Sequence, residues 1–162
     1  MESLDAEFGT SLPNLKQFLL PWLSDNNSEV FLIRFDCVAP SKSRLKLYII
    51  DPHVRLEDIR ALWTLGGQQR DPVTLKGLGI AEKLWNIFGF HDMECPTTDV
   101  DRLPMAAYYE MKPGKSTPKP QLYLPLHGRN DEVIADALTE FFRYLEWEGY
   151  ACRYKPDLIS NL

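Results

Sequence analysis

The chain has 162 residues, 44% of them hydrophobic, and a formal net charge of -5 with a pI near 5.2. That length makes one domain with a real core, and the acidic balance excludes a general role on nucleic acid or an anionic membrane surface. Any anion site must be local, built from a few aimed cations.

The opening stretch, MESLDAEFGTSLPNL, is acidic and has no apolar segment of the signal-peptide kind. No run approaches the ~20 apolar residues of a membrane span. Cys37, Cys95 and Cys152 are widely spaced and odd in number, which fits free thiols in a reducing compartment. A soluble, cytoplasmic protein is expected. Leu12 to Leu23 reads as a short helix, bent or ended near Pro21, and Ser24 to Ser28 as a turn. EVFLIRFDCV (Glu29 to Val38) is β-branched and aromatic, hence a strand. APSKS (Ala39 to Ser43) turns the chain back into SRLKLYII (Ser43 to Ile50), so the two strands should pair antiparallel. In that second strand Arg44, Lys46 and Tyr48 share one face, and Leu45, Leu47 and Ile49 the other. Arg34, on the first strand, shares its parity with Asp36, suiting either a substrate acid group or a salt bridge.

A helix follows, with Leu56, Ile59, Leu62 and Trp63 at helical spacing. GGQQRDP (Gly66 to Pro72) breaks it, and a second helix carries Leu75, Leu78, Leu84, Trp85 and Phe88 toward a core. Gly77 and Gly79 weaken its start. The pattern then restarts. Leu103 to Lys112 is a strand, Pro113 to Pro120 a turn-rich connection, and QLYLPLH (Gln121 to His127) the partner strand, with Gln121 and Tyr123 opposite in parity to Leu122, Leu124 and Leu126. Asn130 to Gly149 reads as one helix with Asn130 as N-cap, Asp131 and Glu132 opposing the dipole, and Ile134, Leu138, Phe141 and Leu145 as its apolar stripe.

Lys46 and Tyr48 recur as Gln121 and Tyr123 at an offset of 75 residues. The chain is therefore a repeat of strand–strand–helix–helix units, about 29–90 and 103–154, the second stopping after its first helix. Strand pairs joined by helices give an antiparallel sheet with helices on its apolar face. The leucine faces belong under the helices, and the Arg44/Lys46/Tyr48 face looks away from them. His53, His91 and His127 lack ligand spacing and are assigned no chemistry.

RLKLYI, WTLGG (Trp63 to Gly67), LYLPLHGRND (Leu122 to Asp131) and TEFFRYLEWEGYACRY (Thr139 to Tyr154) together resemble the fungal dimethylallyltryptophan-synthase family of aromatic prenyltransferases, in family order from about Glu29 to Tyr154. The resemblance implies an α+β fold of ABBA (PT-barrel) type: repeats of antiparallel strand pairs with helices on the outer face. It implies transfer of a prenyl group from dimethylallyl diphosphate to an indole or tryptophan-derived acceptor in alkaloid or secondary metabolism. Arg44, Lys46 and Tyr48 match the family's R-x-K-x-Y strand, which grips the diphosphate. Gln121 and Tyr123 match a Q-x-Y strand, which contacts the same group and shields the allylic cation. The chemistry agrees with the residue types: Arg offers a planar fork and Lys a point charge to phosphate oxygens, and a tyrosine face holds a cation by ~0.5–2 kcal/mol.

The resemblance covers only the third and fourth repeats of a longer family fold, so one partial domain, 1–162, with an incomplete barrel is expected. The family's general-base glutamate has no counterpart, and Glu2 and Glu7 are not given that role. NDEVIAD (Asn130 to Asp136) is explained as a helix start rather than a magnesium motif; no metal or other cofactor is expected, the prenyl diphosphate being a substrate. Open strand edges imply self-association or a partner chain. A catalytically inactive truncated homologue, or an assembly subunit, is the alternative to an active transferase.

Overall fold

A computed structural model describes residues 8–90, 93–94, 105–126 and 128–160. Glu2, Glu7, His91, Cys95 and His127 lie outside them. Four strands form one antiparallel sheet: β1 (Glu29–Phe35), β2 (Leu45–Asp51), β5 (Met105–Met111) and β6 (Lys119–Tyr123), in the order β1-β2-β5-β6. Two short strands, β3 (His53–Val54) and β4 (Met93–Glu94), pair separately. The helices are α1 (Ser11–Asp25), α2 (Leu56–Thr64), α3 (Pro72–Ile87), α4 (Asp131–Tyr144) and α5 (Glu148–Ser160).

The expected alternation holds in the sheet. On β5, Met105, Ala107, Tyr109 and Met111 are fully buried, and on β2 Leu45 and Ile49 join them. These side chains meet Leu12, Leu15 and Leu19 of α1, Ile59 and Leu62 of α2, and Trp85 and Phe88 at the end of α3. Each fully buried aliphatic contributes ~1.5–3 kcal/mol. Tyr109 satisfies its buried hydroxyl by donating to the Leu62 carbonyl (2.7 Å), tying sheet to helix; burial pushes its ionisation far above the usual phenol range. Leu75, expected in the core, is exposed, together with Pro72 and Val73 in the same first turn of α3.

Three expectations are corrected. The first helix runs through Pro21 to Asp25. Proline removes one backbone donor, but the buried leucine face and partly buried Trp22 and Leu23 hold the segment on the core. The helix expected from Asn130 to Gly149 ends at Tyr144, and α5 begins at Glu148. Glu146 takes a left-handed conformation (φ 59°), the Glu146 N–H donates to the Arg143 carbonyl, and the Trp147 N–H to Phe142 (2.9 and 2.8 Å). This is a Schellman stop, sealed by Phe142 and Trp147 with ring centroids 6.2 Å apart. The second unit therefore carries two helices. Lys155 of α5 reaches back to Asp136 and Glu132 of α4 (2.6 and 3.2 Å).

Asn130 caps α4 as expected, accepting from the Glu132 N–H (2.8 Å). Asp71 caps α3, accepting from the Val73 and Thr74 N–H groups, with Pro72 in the first turn. Trp63 packs structurally, its Nε1 donating to the Thr74 carbonyl (2.9 Å). Gly77 makes room for it: a Cβ there would sit 2.5 Å from Trp63 Cζ2, whereas one at Gly79 meets nothing within 4 Å. Both substitutions to alanine gain ~1 kcal/mol of helix propensity. Gly79→Ala should therefore raise the melting temperature and Gly77→Ala lower it, measured by thermal denaturation; equal shifts would show that the Trp63 ring yields freely.

Candidate functional site

Register builds the site. Lys46 lies opposite Glu110, and Tyr48 opposite Tyr108; Tyr108 lies opposite Gln121, Ala106 opposite Tyr123, and Glu110 opposite Lys119. Arg34 and Leu32 of β1 extend these rows beside Lys46 and Tyr48. Arg44, just before β2, continues the same parity. The five residues singled out from sequence, Arg44, Lys46, Tyr48, Gln121 and Tyr123, thus share one sheet face, the one turned from the helices.

Two features of that face were not expected. The first is aromatic: Tyr108 stands between Tyr48 and Tyr123, with ring centroids 4.8 and 6.0 Å away, and Phe31 meets Tyr48 edge-on at 5.8 Å. Lys46 Nζ sits 4.9 Å from the Tyr108 ring centroid. Partial desolvation, with the neighbouring Tyr108 and Tyr48 phenols, raises the Tyr123 hydroxyl above its usual range against the pull of Lys46.

The second is anionic. Glu110, 12% exposed at its side chain, lies 3.5 Å from Arg44 Nη1, 3.7 Å from Lys46 Nζ and 3.1 Å from Lys112 Nζ. Asp36 accepts from Arg44 Nε at 2.7 Å and Nη2 at 3.4 Å. That hydrogen bond holds the Asp36 carboxyl below, and the guanidinium above, their ordinary values. Asp36 is thus paired with Arg44 rather than with Arg34. The signal for Tyr108 and Glu110 was available in MAAYYEM, where Ala106, Tyr108 and Glu110 alternate with the buried set.

Asp51, His53 and Asp58 bring potential ligand atoms within 4.8 Å of one another. Their bonding reads as an ion network at the start of α2. Arg55 holds both oxygens of buried Asp58 (2.6 and 2.9 Å), and Asp51 Oδ1 accepts from the His53 N–H and faces its Nδ1 (2.9 and 3.2 Å). Asp51 is 1% exposed, and its Oδ2 is buried without a hydrogen bond among the described residues. Burial first, and the Asp58 charge with it, raise its carboxyl above the usual range against the His53 hydrogen bonds.

A family model described as tryptophan dimethylallyltransferase matches residues 1–157. An indole diterpene prenyltransferase, anaPT of Neosartorya fischeri, is 52% identical over 134 residues, 83% of this chain and 31% of that relative. The crystal structure of AnaPT from Neosartorya fischeri superposes with a TM-score of 0.81 at 45% identity, over 95% of this chain and 36% of that one. NotF, solved in complex with brevianamide F and DMSPP, gives 0.77 at 30% identity, over 93% and 36%. The chain spans about one third of the relatives it matches. The α+β fold of the described residues, antiparallel strand pairs with helices on one face of an open sheet, superposes on part of solved prenyltransferase structures.

Two outcomes follow from the charges. Glu110→Gln removes the carboxylate shared by Lys46 and Lys112 while Asp36 still holds Arg44, and calorimetry should show tighter pyrophosphate binding, by about 1–3 kcal/mol at an effective dielectric near 20. Weaker binding would show that Glu110 instead holds those cations in place. For Asp51 the raised pKa means that folding favours the protonated acid. Its ionised form is destabilising at neutral pH, and the penalty fades as pH falls through the raised pKa toward the usual value of about 3.9. Asp51→Asn should raise the melting temperature at pH 7, with a gain that shrinks toward pH 4; a pH-independent effect would remove the titration from the account.

Proposed function

We infer the activity of the chain from one premise: it belongs to the tryptophan dimethylallyltransferase family. We propose that it serves transfer of a prenyl group from dimethylallyl diphosphate to an aromatic carbon of an indole or tryptophan-derived acceptor, in alkaloid or secondary-metabolite formation. The observation that carries this is the gathering of Arg44, Lys46, Tyr48, Gln121 and Tyr123 on one face of one sheet. In the proposed reaction the allylic C1–O bond breaks and its electron pair stays on the diphosphate oxygen. Arg44 and Lys46 balance that charge, supplying fixed electrostatic stabilisation of the leaving group. The Tyr48 and Tyr123 rings face the allylic cation, the aromatic carbon attacks C1, and the ring proton leaves to a base outside these five residues. The counter-charge is supplied by side chains, so the reading invokes no metal or other cofactor. A relative crystallised with brevianamide F and DMSPP supports the substrate classes.

We read residues 1–162 as one partial domain of two units. No helix among the described residues is long and apolar enough to cross a membrane, and exposed free thiols at Cys37 and Cys152 support a cytoplasmic setting. In the described sheet β1 and β6 each pair on one side only. We therefore propose that turnover needs further strands, from a second copy or from a partner chain carrying the remaining repeats.

The test is to purify the chain, weigh it in solution and titrate it with dimethylallyl diphosphate and pyrophosphate. Binding is expected, weakened by ~1.5–3 kcal/mol in Arg44→Ala, the range for a charged hydrogen bond. Binding unchanged by both Arg44→Ala and Lys46→Ala overturns the site. The monomer should show no transfer to tryptophan above background; efficient turnover by a confirmed monomer overturns the need for further strands.

A further inference from the structure

Tyr108 occupies the middle of the polar face, opposite Tyr48 on one side and Gln121 on the other. It is 9% exposed, whereas Gln121 is open to the face. Its hydroxyl donates to Gln121 Oε1 at 2.5 Å, and its ring lies under Lys46 Nζ. A carboxamide has one acceptor end and one end with two N–H donors. A polyanion is bound by the donor end alone. An untethered glutamine presents either end, but one whose oxygen is held by a phenol presents its Nε2 to whatever approaches the face.

We propose that Tyr108 is a positioning residue for this site: its hydroxyl fixes the Gln121 carboxamide so that the amide N–H groups serve the diphosphate. The inference rests on the diphosphate reading above. Tyr108 reaches the diphosphate through Gln121 and, by its ring, through Lys46. The phenylalanine variant separates the two contacts, because it keeps the ring beneath Lys46 and beside Tyr48 and removes only the hydroxyl.

Pyrophosphate affinity measured by calorimetry on the purified chain gives the test, with Tyr108→Phe, Gln121→Ala, the double variant and Arg44→Ala. Tyr108→Phe and Gln121→Ala should each lose about tenfold, which is about 1.4 kcal/mol, and the double variant should bind no worse than Gln121→Ala. A merely structural tyrosine would lower the melting temperature without that non-additivity. A second readout is the side-chain amide proton pair of Gln121 in an NMR spectrum of the 15N-labelled chain, which should shift in Tyr108→Phe. If Tyr108→Phe binds like the unaltered chain while Arg44→Ala is weakened, the inference fails and the diphosphate reading stands. Additive losses, or an unmoved Gln121 amide, likewise overturn it. If the unaltered chain binds no pyrophosphate, both readings fall together.

Discussion

The polar face depends on one constraint: β2, β5 and β6 keep strict two-residue alternation in a single antiparallel register. A slip of one residue would send every side chain of a strand to the other face. What pins the register is the opposite side of the same strands. Ile49, Met105, Ala107, Tyr109 and Met111 are all at or below 1% exposure, so a slip would bury Lys46, Tyr108 or Glu110 in their place. An unpaired charge in that position costs several kcal/mol. The Tyr109 hydroxyl adds a check on depth as well as register, because only one alignment lets it reach the Leu62 carbonyl. The core therefore specifies the site by exclusion: it decides which residues cannot be elsewhere.

That constraint explains how an acidic chain assembles cations at one place. Lys46 and Glu110 are largely withdrawn from water, at 20% and 12% side-chain exposure. Such charges persist only when paired. Glu110 serves three cations at once, and Asp36 holds Arg44 in a forked contact. Glu110 and Asp36 thereby offset part of the positive charge of this face, and the same pairing sets a threshold for any ligand. A single carboxylate offers Arg44 and Lys46 no more than Glu110 already gives them. The diphosphate of the proposed function brings several charged oxygens that would engage both cations and the Gln121 amide together, and so would exceed that threshold.

Much of this was legible in sequence because two-residue alternation is local. Arg44, Lys46 and Tyr48 fall on one face by parity alone, as do Gln121 and Tyr123. Tyr108 and Glu110 had the same parity in MAAYYEM, yet parity does not say which strand lies in the middle. Only the order β1-β2-β5-β6 sets Tyr108 between two other tyrosines. The helix stop at Glu146 escaped because its signal is normally glycine, and here a glutamate takes the left-handed position while Phe142 and Trp147 close the turn. Leu65 is also left-handed, at φ 51° after α2, although there the glycines of GGQQRDP marked the stop; its full burial holds the strained backbone in place. Gly77 carried a propensity signal that pointed the wrong way. Its reason is a ring from another helix, which no local reading supplies.

The edge strand shows what the sheet requires from its surroundings. A strand with one solvated face alternates, but EVFLIRF does not: it is nearly continuous in apolar residues, the pattern of a strand covered on both sides. In the described fold Phe31, Leu32, Ile33 and Phe35 are each between 45% and 64% exposed. Ile33 and Phe35 follow the helix side of the sheet, opposite Leu47 and Leu45, while Phe31 and Leu32 sit with Tyr48 on the polar side. Whatever covers β1 must therefore bring apolar surface to both faces as well as a hydrogen-bonding strand to its edge. The same cover would narrow water's access to the Phe31, Tyr48, Tyr108 and Tyr123 row, beside which the proposed reaction would form its allylic cation. Anion binding needs only the cations and the amide already in place. Cation chemistry needs a wall of low polarity around the aromatic row, and this sheet supplies one side of it.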